Sequence, residues 1–449
     1  MRKILIISIV GLLTSCGIYK PYSRPEMLTE GLYREVQLTD TISLASLSWR
    51  DLFTDKQLQA LIERGLRQNT DLRIAHLRVE EAKAVLMNAR LSYLPTLSLS
   101  PEGNISKYDG IAAKTYNLGA SASWEIDIFG KVTNAKRGAK AALEASRAYE
   151  QAVQTQLVAT IANSYYTLLM LDQQLIINER TLENWAQTEK TMEALKRAGK
   201  SNDAAVLQAR SSRMALEASV LTIRKNIQDT ENGLSVLLAM APQFIERGTL
   251  NEQHFTDDLS VGIPVQLLSN RPDVRQAEYN LAQAFYATNA ARSAFYPSIT
   301  LSGNAGWTNN SGTAILNPGN WLLNAIGSLT QPLFNRGTNI ANLKIAKARQ
   351  EETVLTFQQS LLDAGKEAND ALTLWQTAQK RIEIGNEQIA TLQEAVFKTE
   401  LLMKHSSTNY LEVLTAQQTL LSAELTQAQD QFDKIQGVIN LYHALGGGI

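Results

Sequence analysis

The chain writes one phrase twice. "RLSYLPTLSLSP" begins at Arg90 and "RSAFYPSITLSG" begins at Arg292. The offset is 202 positions, the distance from Asp71 to Asp273. At that offset Leu72 faces Val274, Arg73 faces Arg275 and Ala75 faces Ala277. The match continues without a gap through Pro95 with Pro297 and Leu99 with Leu301. Further on, Phe129 falls near Phe334, each two positions before a basic residue, Lys131 and Arg336. "VLQAR" at Val206 resembles "VLTAQ" at Val413. A period of about 200 residues is too long for a solenoid. It indicates duplication of a whole supersecondary block, so whatever fold forms is built twice.

Proline partitions each copy. None occurs from Glu102 through Ala241, and none from Leu333 onwards. Both stretches are rich in Ala, Leu, Gln, Glu and Lys, all strong helix formers. From Lys131 to Arg197, apolar or small residues recur at helical spacing, among them Ala135, Ala139, Ala142, Tyr149 and Val153. At 1.5 Å per residue such a helix is a rod of roughly 100 Å. "RAGKSND" at 197–203 breaks it, and a second helix is predicted over about 202–240. The second copy predicts helices over about 272–294, 336–404 and 409–445, with "HSSTNY" as its break. Gly199 suits a chain reversal that needs positive φ, and Asn409 is the residue of the second break best able to adopt it.

Between the rods the period changes to two. Ile299, Leu301, Gly303, Ala305 and Trp307 alternate with Ser298, Thr300, Ser302, Asn304 and Gly306. Tyr116, Leu118, Ala120, Ala122 and Trp124 alternate in the same way with polar neighbours. Hairpins are predicted at about 96–127 and 298–333, with strands of about 9–11 residues, the length of a tilted membrane strand. The pattern fits a membrane barrel, apolar outside and polar inside. It fits equally a soluble antiparallel sheet with one wet face. Four strands cannot close around a lumen, and an open edge in lipid leaves backbone groups unpaired. If these strands cross a membrane, several chains share one barrel, and three would supply twelve strands.

Composition removes other classes. The formal net charge is −1, so no basic field invites nucleic acid. The four histidines are scattered, and Cys16 is the single cysteine, so neither a disulfide framework nor a Cys-based zinc site is available. No GxSxG, HExxH or GxxxxGK[ST] occurs, and no catalytic residue, cofactor or metal is expected. The start reads as a secretory signal: Met1-Arg2-Lys3, then "ILIISIVGLL", then "LTSC". Leu13-Thr14-Ser15-Cys16 resembles the bacterial lipobox. Residues 1–15 would then be a signal peptide, Cys16 the lipidation site, and 16–54 a lipidated N-terminal segment and linker. An ordinary signal peptide with an incidental cysteine is the alternative.

Four fragments carry a family resemblance. They are "WRDLFTDKQLQALIERGLRQNTDLRIA" at 49–75, "IPVQLLSNRPDVRQAEYNLAQAFYATNAARSAFYPSITLSG" at 263–303, "NYLEVLTAQQTLLSAE" at 409–424 and "LYHALGGG" at 441–448. In order and spacing the chain resembles the TolC-like outer-membrane efflux channels, in the lipoprotein branch that serves resistance-type tripartite pumps. The resemblance implies a mainly α fold with a membrane β part, made of two tandem repeats at 55–250 and 251–449. It implies a homotrimer, with a twelve-stranded β-barrel in the outer membrane continuous with a twelve-helix periplasmic α-barrel. It implies passive conduction of drugs or other small molecules. The partners would be a periplasmic adaptor, an inner-membrane pump and outer-membrane lipid. Type I protein secretion or metal efflux is the alternative within the family, and a lipid-anchored coiled-coil scaffold without a pore is the alternative outside it. The resemblance also places adaptor docking at the rod ends, at Arg197, Gly199, Ser201, Asn202, Lys404, Ser407 and Asn409. It places a narrow ring where a Leu precedes an Asp by one turn; here those positions hold Leu411 and Thr415. Arg271, Pro272 and Asp273 read as ordinary helix-start residues, like their counterparts Asn69, Thr70 and Asp71.

Overall fold

The computed structural model describes residues 19, 21–25, 48–253, 255, 271–309, 320–404 and 410–447. Cys16, Ser407 and Asn409 lie outside the described residues, as does the side chain of Lys404. The elements run α1 Trp49–Leu52, α2 Lys56–Gln68, α3 Thr70–Leu91, β1 Thr96–Tyr108, β2 Ile111–Ile126, α4 Lys131–Arg197 and α5 Asp203–Leu237. They continue with α6 Pro272–Ser293, β3 Ser298–Asn309, β4 Asn320–Thr330, α7 Thr338–Lys404 and α8 Tyr410–Ala444. The two long helices, α4 and α7, have 67 residues each, and the two that follow them have 35 each.

The chain divides into two compact units. The first contains Leu77–Ala148 and Arg275–Gln359. Its sheet is antiparallel, in the order β1-β2-β3-β4. β1 and β2 have 13 and 16 residues, longer than the alternation of apolar residues alone predicts. They extend because Asp109 and Gly110, both at positive φ (47° and 86°), form a tight two-residue turn. Beyond β2, Asp127 ties down the first turn of α4. Its two carboxylate oxygens accept from the Val132 amide at 2.9 Å and the Thr133 amide at 2.7 Å. α3 packs on α4 through Val79, Leu86 and Leu143.

The second unit holds Tyr149–Val274 and Ser360–Ile449, together with the N-terminal helices up to His76. Its core joins Phe53, Leu58 and Ile62 to Ile161, Tyr165 and Leu234, and to Ile439 and Tyr442 of α8. Asp55 caps α2, accepting from the Gln57 amide at 2.8 Å, and takes the Tyr165 hydroxyl at 2.7 Å. Small residues let the long helices approach. Ala364, Ala368, Ala371 and Ala378 of α7 are all buried.

The duplication extends to single hydrogen bonds. The Asn69 amide donates to the Leu237 carbonyl at the end of α5, at 3.0 Å. At the equivalent place in the second copy, the Arg271 guanidinium donates to the Ala444 carbonyl at the end of α8, also at 3.0 Å. Each copy thus ties its last helix to the residue that starts its strand-bearing half. The helix ends also match. The Met240 amide bonds the Ser235 carbonyl, as the Gly447 amide bonds that of Tyr442. This closure places Ala239 and Gly446 at positive φ, 51° and 81°. Alanine bears a steric penalty there that glycine does not. Ala239→Gly should therefore stabilise the second unit by about 1 kcal/mol. The thermal midpoint of the detergent-solubilised protein checks this, and a midpoint that stays or falls would refute it.

Candidate functional site

Strand register sorts the sheet into two faces. Leu99, Ala120, Ala305 and Leu323 lie on one rung; Ser98, Ser121, Asn304 and Asn324 lie on the next. The apolar face is bare. Leu97 is 79% exposed and Leu323 88%. A soluble one-sided sheet does the opposite, covering its apolar face and wetting its polar one. Aromatic residues flank the strands at both ends. Trp307 and Trp321 pair at 5.2 Å, and Phe129 stacks on Tyr296 at 5.0 Å. Aromatic side chains in two belts mark the edges of a hydrocarbon layer.

The rod ends carry the predicted docking residues. Arg197 closes α4 with an exposed side chain. Gly199 follows at φ +71°, and the Lys200 amide bonds the Leu195 carbonyl at 2.9 Å, so the positive φ expected of Gly199 is what turns the chain. Ser201 is half-buried. Asn202 caps α5, its side chain accepting from the Ala205 amide at 2.9 Å. Lys196 pairs with Asp203 across the turn.

Leu411 and Thr415 share one exposed stripe at the start of α8. Leu411 is 61% exposed, and the Thr415 hydroxyl donates to its carbonyl at 2.8 Å. The same helix buries Tyr410 and Leu414 against Met192 of α4 and Val206 of α5. So Leu411 and Thr415 stand on a side of α8 away from the face that packs Tyr410 and Leu414. The stripe continues through Thr419, Ser422 and Thr426, all exposed and all uncharged. Thr419 and Thr426 also bond back to their own helix, each at 2.8 Å. Glu412 is exposed nearby, but about 100° round the helix from Leu411.

Sequence reasoning missed the charge network above the tip. Glu189 of α4 accepts from Arg210 at 2.8 Å and Arg213 at 2.6 Å, both on α5. The Arg210 bond first, with Arg213 beside it, holds the Glu189 carboxyl below its usual range despite burial. Burial and the Glu189 charge push the Tyr410 phenol up to about 12. The one available signal was Arg210 and Arg213 at i and i+3 on one helix face.

A sheet with an uncovered apolar face, together with paired long helices that end in a polar tip, defines the class of outer-membrane channel proteins. The family model described as "Outer membrane efflux protein" matches residues 61–240 and 263–447. The chain belongs to the outer membrane efflux protein family, and its place is the outer membrane. It is 31% identical over 453 residues to the cation efflux system protein CusC of Escherichia coli O6:H1, covering 99% of this chain and 98% of that one. It is 29% identical over 418 residues to the solvent efflux pump outer membrane protein SrpC of Pseudomonas putida, covering 91% and 89%. Among solved structures, the open state of the Neisseria gonorrhoeae MtrE outer membrane channel matches with TM-score 0.87 at 28% identity. That match covers 96% of this chain and 98% of that one.

Proposed function

We propose that three copies of this chain close a twelve-stranded β-barrel above a twelve-helix periplasmic tube. The tube passively conducts small organic molecules delivered by an inner-membrane pump through a periplasmic adaptor. The observation that carries this reading is the sheet. It has an exposed face dominated by apolar residues and two edges, on β1 and β4, with no partner among the described residues. Unpaired edges in lipid cost several kcal/mol per group, and only closure removes them. A second feature supports lateral packing of another copy. Leu207, Met214 and Leu221 of α5 are exposed at intervals of seven, the spacing of a helix-packing seam. Cys16 would carry the lipid anchor. Tyr19, three residues on, lies against Gly130, just beyond β2. Native mass spectrometry of the purified protein should find three chains, each starting at an acylated Cys16. A conducting monomer, or an unmodified Cys16, would defeat these readings.

The docking surface would be the rod ends, 197–207 and 404–414. Leu411 would supply the apolar constriction, and the uncharged stripe through Thr415 the wall above it. Three Thr hydroxyls exert far less field than three carboxylates, so cation preference should be weak. In planar bilayers Leu411→Ala should raise single-channel conductance severalfold, and Thr415→Asp should shift the reversal potential in a salt gradient towards cations. If both leave conductance and selectivity unchanged, the constriction lies elsewhere. The likeness to CusC, named for cation efflux, favours a second reading in which the cargo is a metal ion. A strong cation preference in the unsubstituted channel would support it.

A further inference from the structure

We infer that Leu322 and Ile326 form a contact site for amphipathic organic cations on the polar face of the sheet. The inference rests on the reading that this face lines the pore. On β4 the polar face presents Leu322, Asn324, Ile326, Ser328 and Thr330. Two of these are large and apolar where the alternation calls for small polar groups. Neither serves a core, since Leu322 is 61% exposed and Ile326 49%.

Their neighbours give the site a shape. The Leu322 rung continues through Gly306, Gly119 and Ser100. A Cβ on Gly306 would lie 2.5 Å from the Leu118 carbonyl oxygen, so that position is held to glycine. Bare backbone therefore floors a shallow recess beside Leu322. The Ile326 rung continues through Ser302, Ser123 and Thr96, and the rung between the two carries amides at Asn324 and Asn304. Four residues along a strand set the two apolar side chains about 13 Å apart. A molecule with two apolar ends and a polar middle spans that distance, whereas a hydrated metal ion gains nothing from either side chain.

Charge on the same face selects the sign. Glu102 stands on β1, three strands or about 14 Å across the sheet from β4 and one same-face rung beyond that of Leu322, and forms no ion pair among the described residues. Glu125 stands on the rung beyond Ile326 but is held by Lys131 at 2.9 Å. The apolar pair thus shares its face with two carboxylates two and three strands away, and one of them has no ion-pair partner among the described residues. Apolar contact on a face whose charged groups are carboxylates favours a lipophilic cation over an anionic solute.

The test uses tetraphenylphosphonium as the probe and tetramethylammonium as a cation of equal charge with little apolar surface. In planar bilayers tetraphenylphosphonium should block the channel transiently, and tetramethylammonium should not. Leu322→Asn and Ile326→Asn should each raise the half-blocking concentration about tenfold and leave potassium chloride conductance unchanged. Glu102→Gln should raise it about threefold. Half-blocking concentrations unchanged in both asparagine variants overturn the proposal. Thiol labelling of the assembled protein separates this from failure of the pore reading, against the background of the unsubstituted chain. Leu322→Cys should react with a membrane-impermeant maleimide, and Leu323→Cys, on the opposite face, should not. The reverse labelling pattern overturns the pore-lining reading and the proposal with it. Labelling as expected with unchanged block overturns the contact site alone.

Discussion

Replacing Arg271 with alanine will cost the second unit about 1–3 kcal/mol, because it removes a buried guanidinium and leaves the Ala444 carbonyl and two half-exposed carboxylates without their donor. The guanidinium is 3% exposed. It donates to both carboxylate oxygens of Asp273, at 3.0 and 2.7 Å, to Glu367 at 2.7 Å, and to the Ala444 carbonyl at 3.0 Å. Alanine there leaves two carboxylates facing each other and the last carbonyl of α8 unpaired. The thermal midpoint of the solubilised protein should drop sharply, and the assembled form in outer-membrane fractions should fall with it. Arg271→Lys should recover part of the loss, since it restores the charge but not the planar fork. A wild-type midpoint in Arg271→Ala would sink this account.

The same cluster predicts an acid limb. Burial first, and then the Arg271 charge, hold the His443 pKa below its usual value. The folded state therefore keeps His443 neutral at a pH where the unfolded chain binds a proton. Stability is fully present above the unfolded pKa of about 6.5 and declines as pH falls through the interval below it. His443→Gln should remove that part of the decline, measured as midpoint against pH from 8 to 5. An identical slope in the two proteins would assign the acid sensitivity to other groups.

Adding one methyl group to this chain will act in opposite directions at two helical glycines. At Gly437 in α8, a Cβ would lie 2.8 Å from the backbone nitrogen and Cβ of Trp375 in α7, and 2.9 Å from its Cα. A backbone cannot rotate aside as a side chain can, so the two helices must separate. Overpacking of this kind costs about 1–3 kcal/mol, and more where relief is blocked. Gly233 in α5 meets nothing within 4 Å of its Cβ position. There alanine removes only the entropy penalty of glycine and stabilises by about 0.5–1 kcal/mol. Gly437→Ala should thus lower the melting midpoint and Gly233→Ala raise it. Equal shifts would show that the α7–α8 approach is not the limiting contact.

Most of the helical architecture was legible in the sequence because its signal is local. A helix read over 131–197 needs only its own periodicity, and α4 spans Lys131–Arg197. Strand lengths were less legible. In β1, Glu102, Asn104 and Lys107 interrupt the apolar run, although "DG" at 109–110 marks where the hairpin turns. Long-range ties were not legible. Arg271 reads as a helix-start residue, yet its partners Glu367 and Ala444 lie 96 and 173 positions away. The sheet's bare face was undecided for a related reason. Alternation states that one face is apolar, but only the uncovered surface of Leu97 and Leu323 states that none of the described residues lies over it.

A solitary copy of this chain is a hazard while it crosses water. Its sheet offers two open edges to any strand that meets them and an apolar face to any greasy surface. Closing the proposed ring of three from separate copies would be a race between productive encounter and misdirected sticking, and its odds would worsen as copies became scarce. An acyl tether at Cys16 would change the terms of that race. It would confine the search to two dimensions, raise the local concentration of copies and hold their exposed strands beside the one phase that tolerates them. On this view the anchor serves assembly more than retention. Once such a ring had closed, its own apolar girdle would suffice to hold it in place.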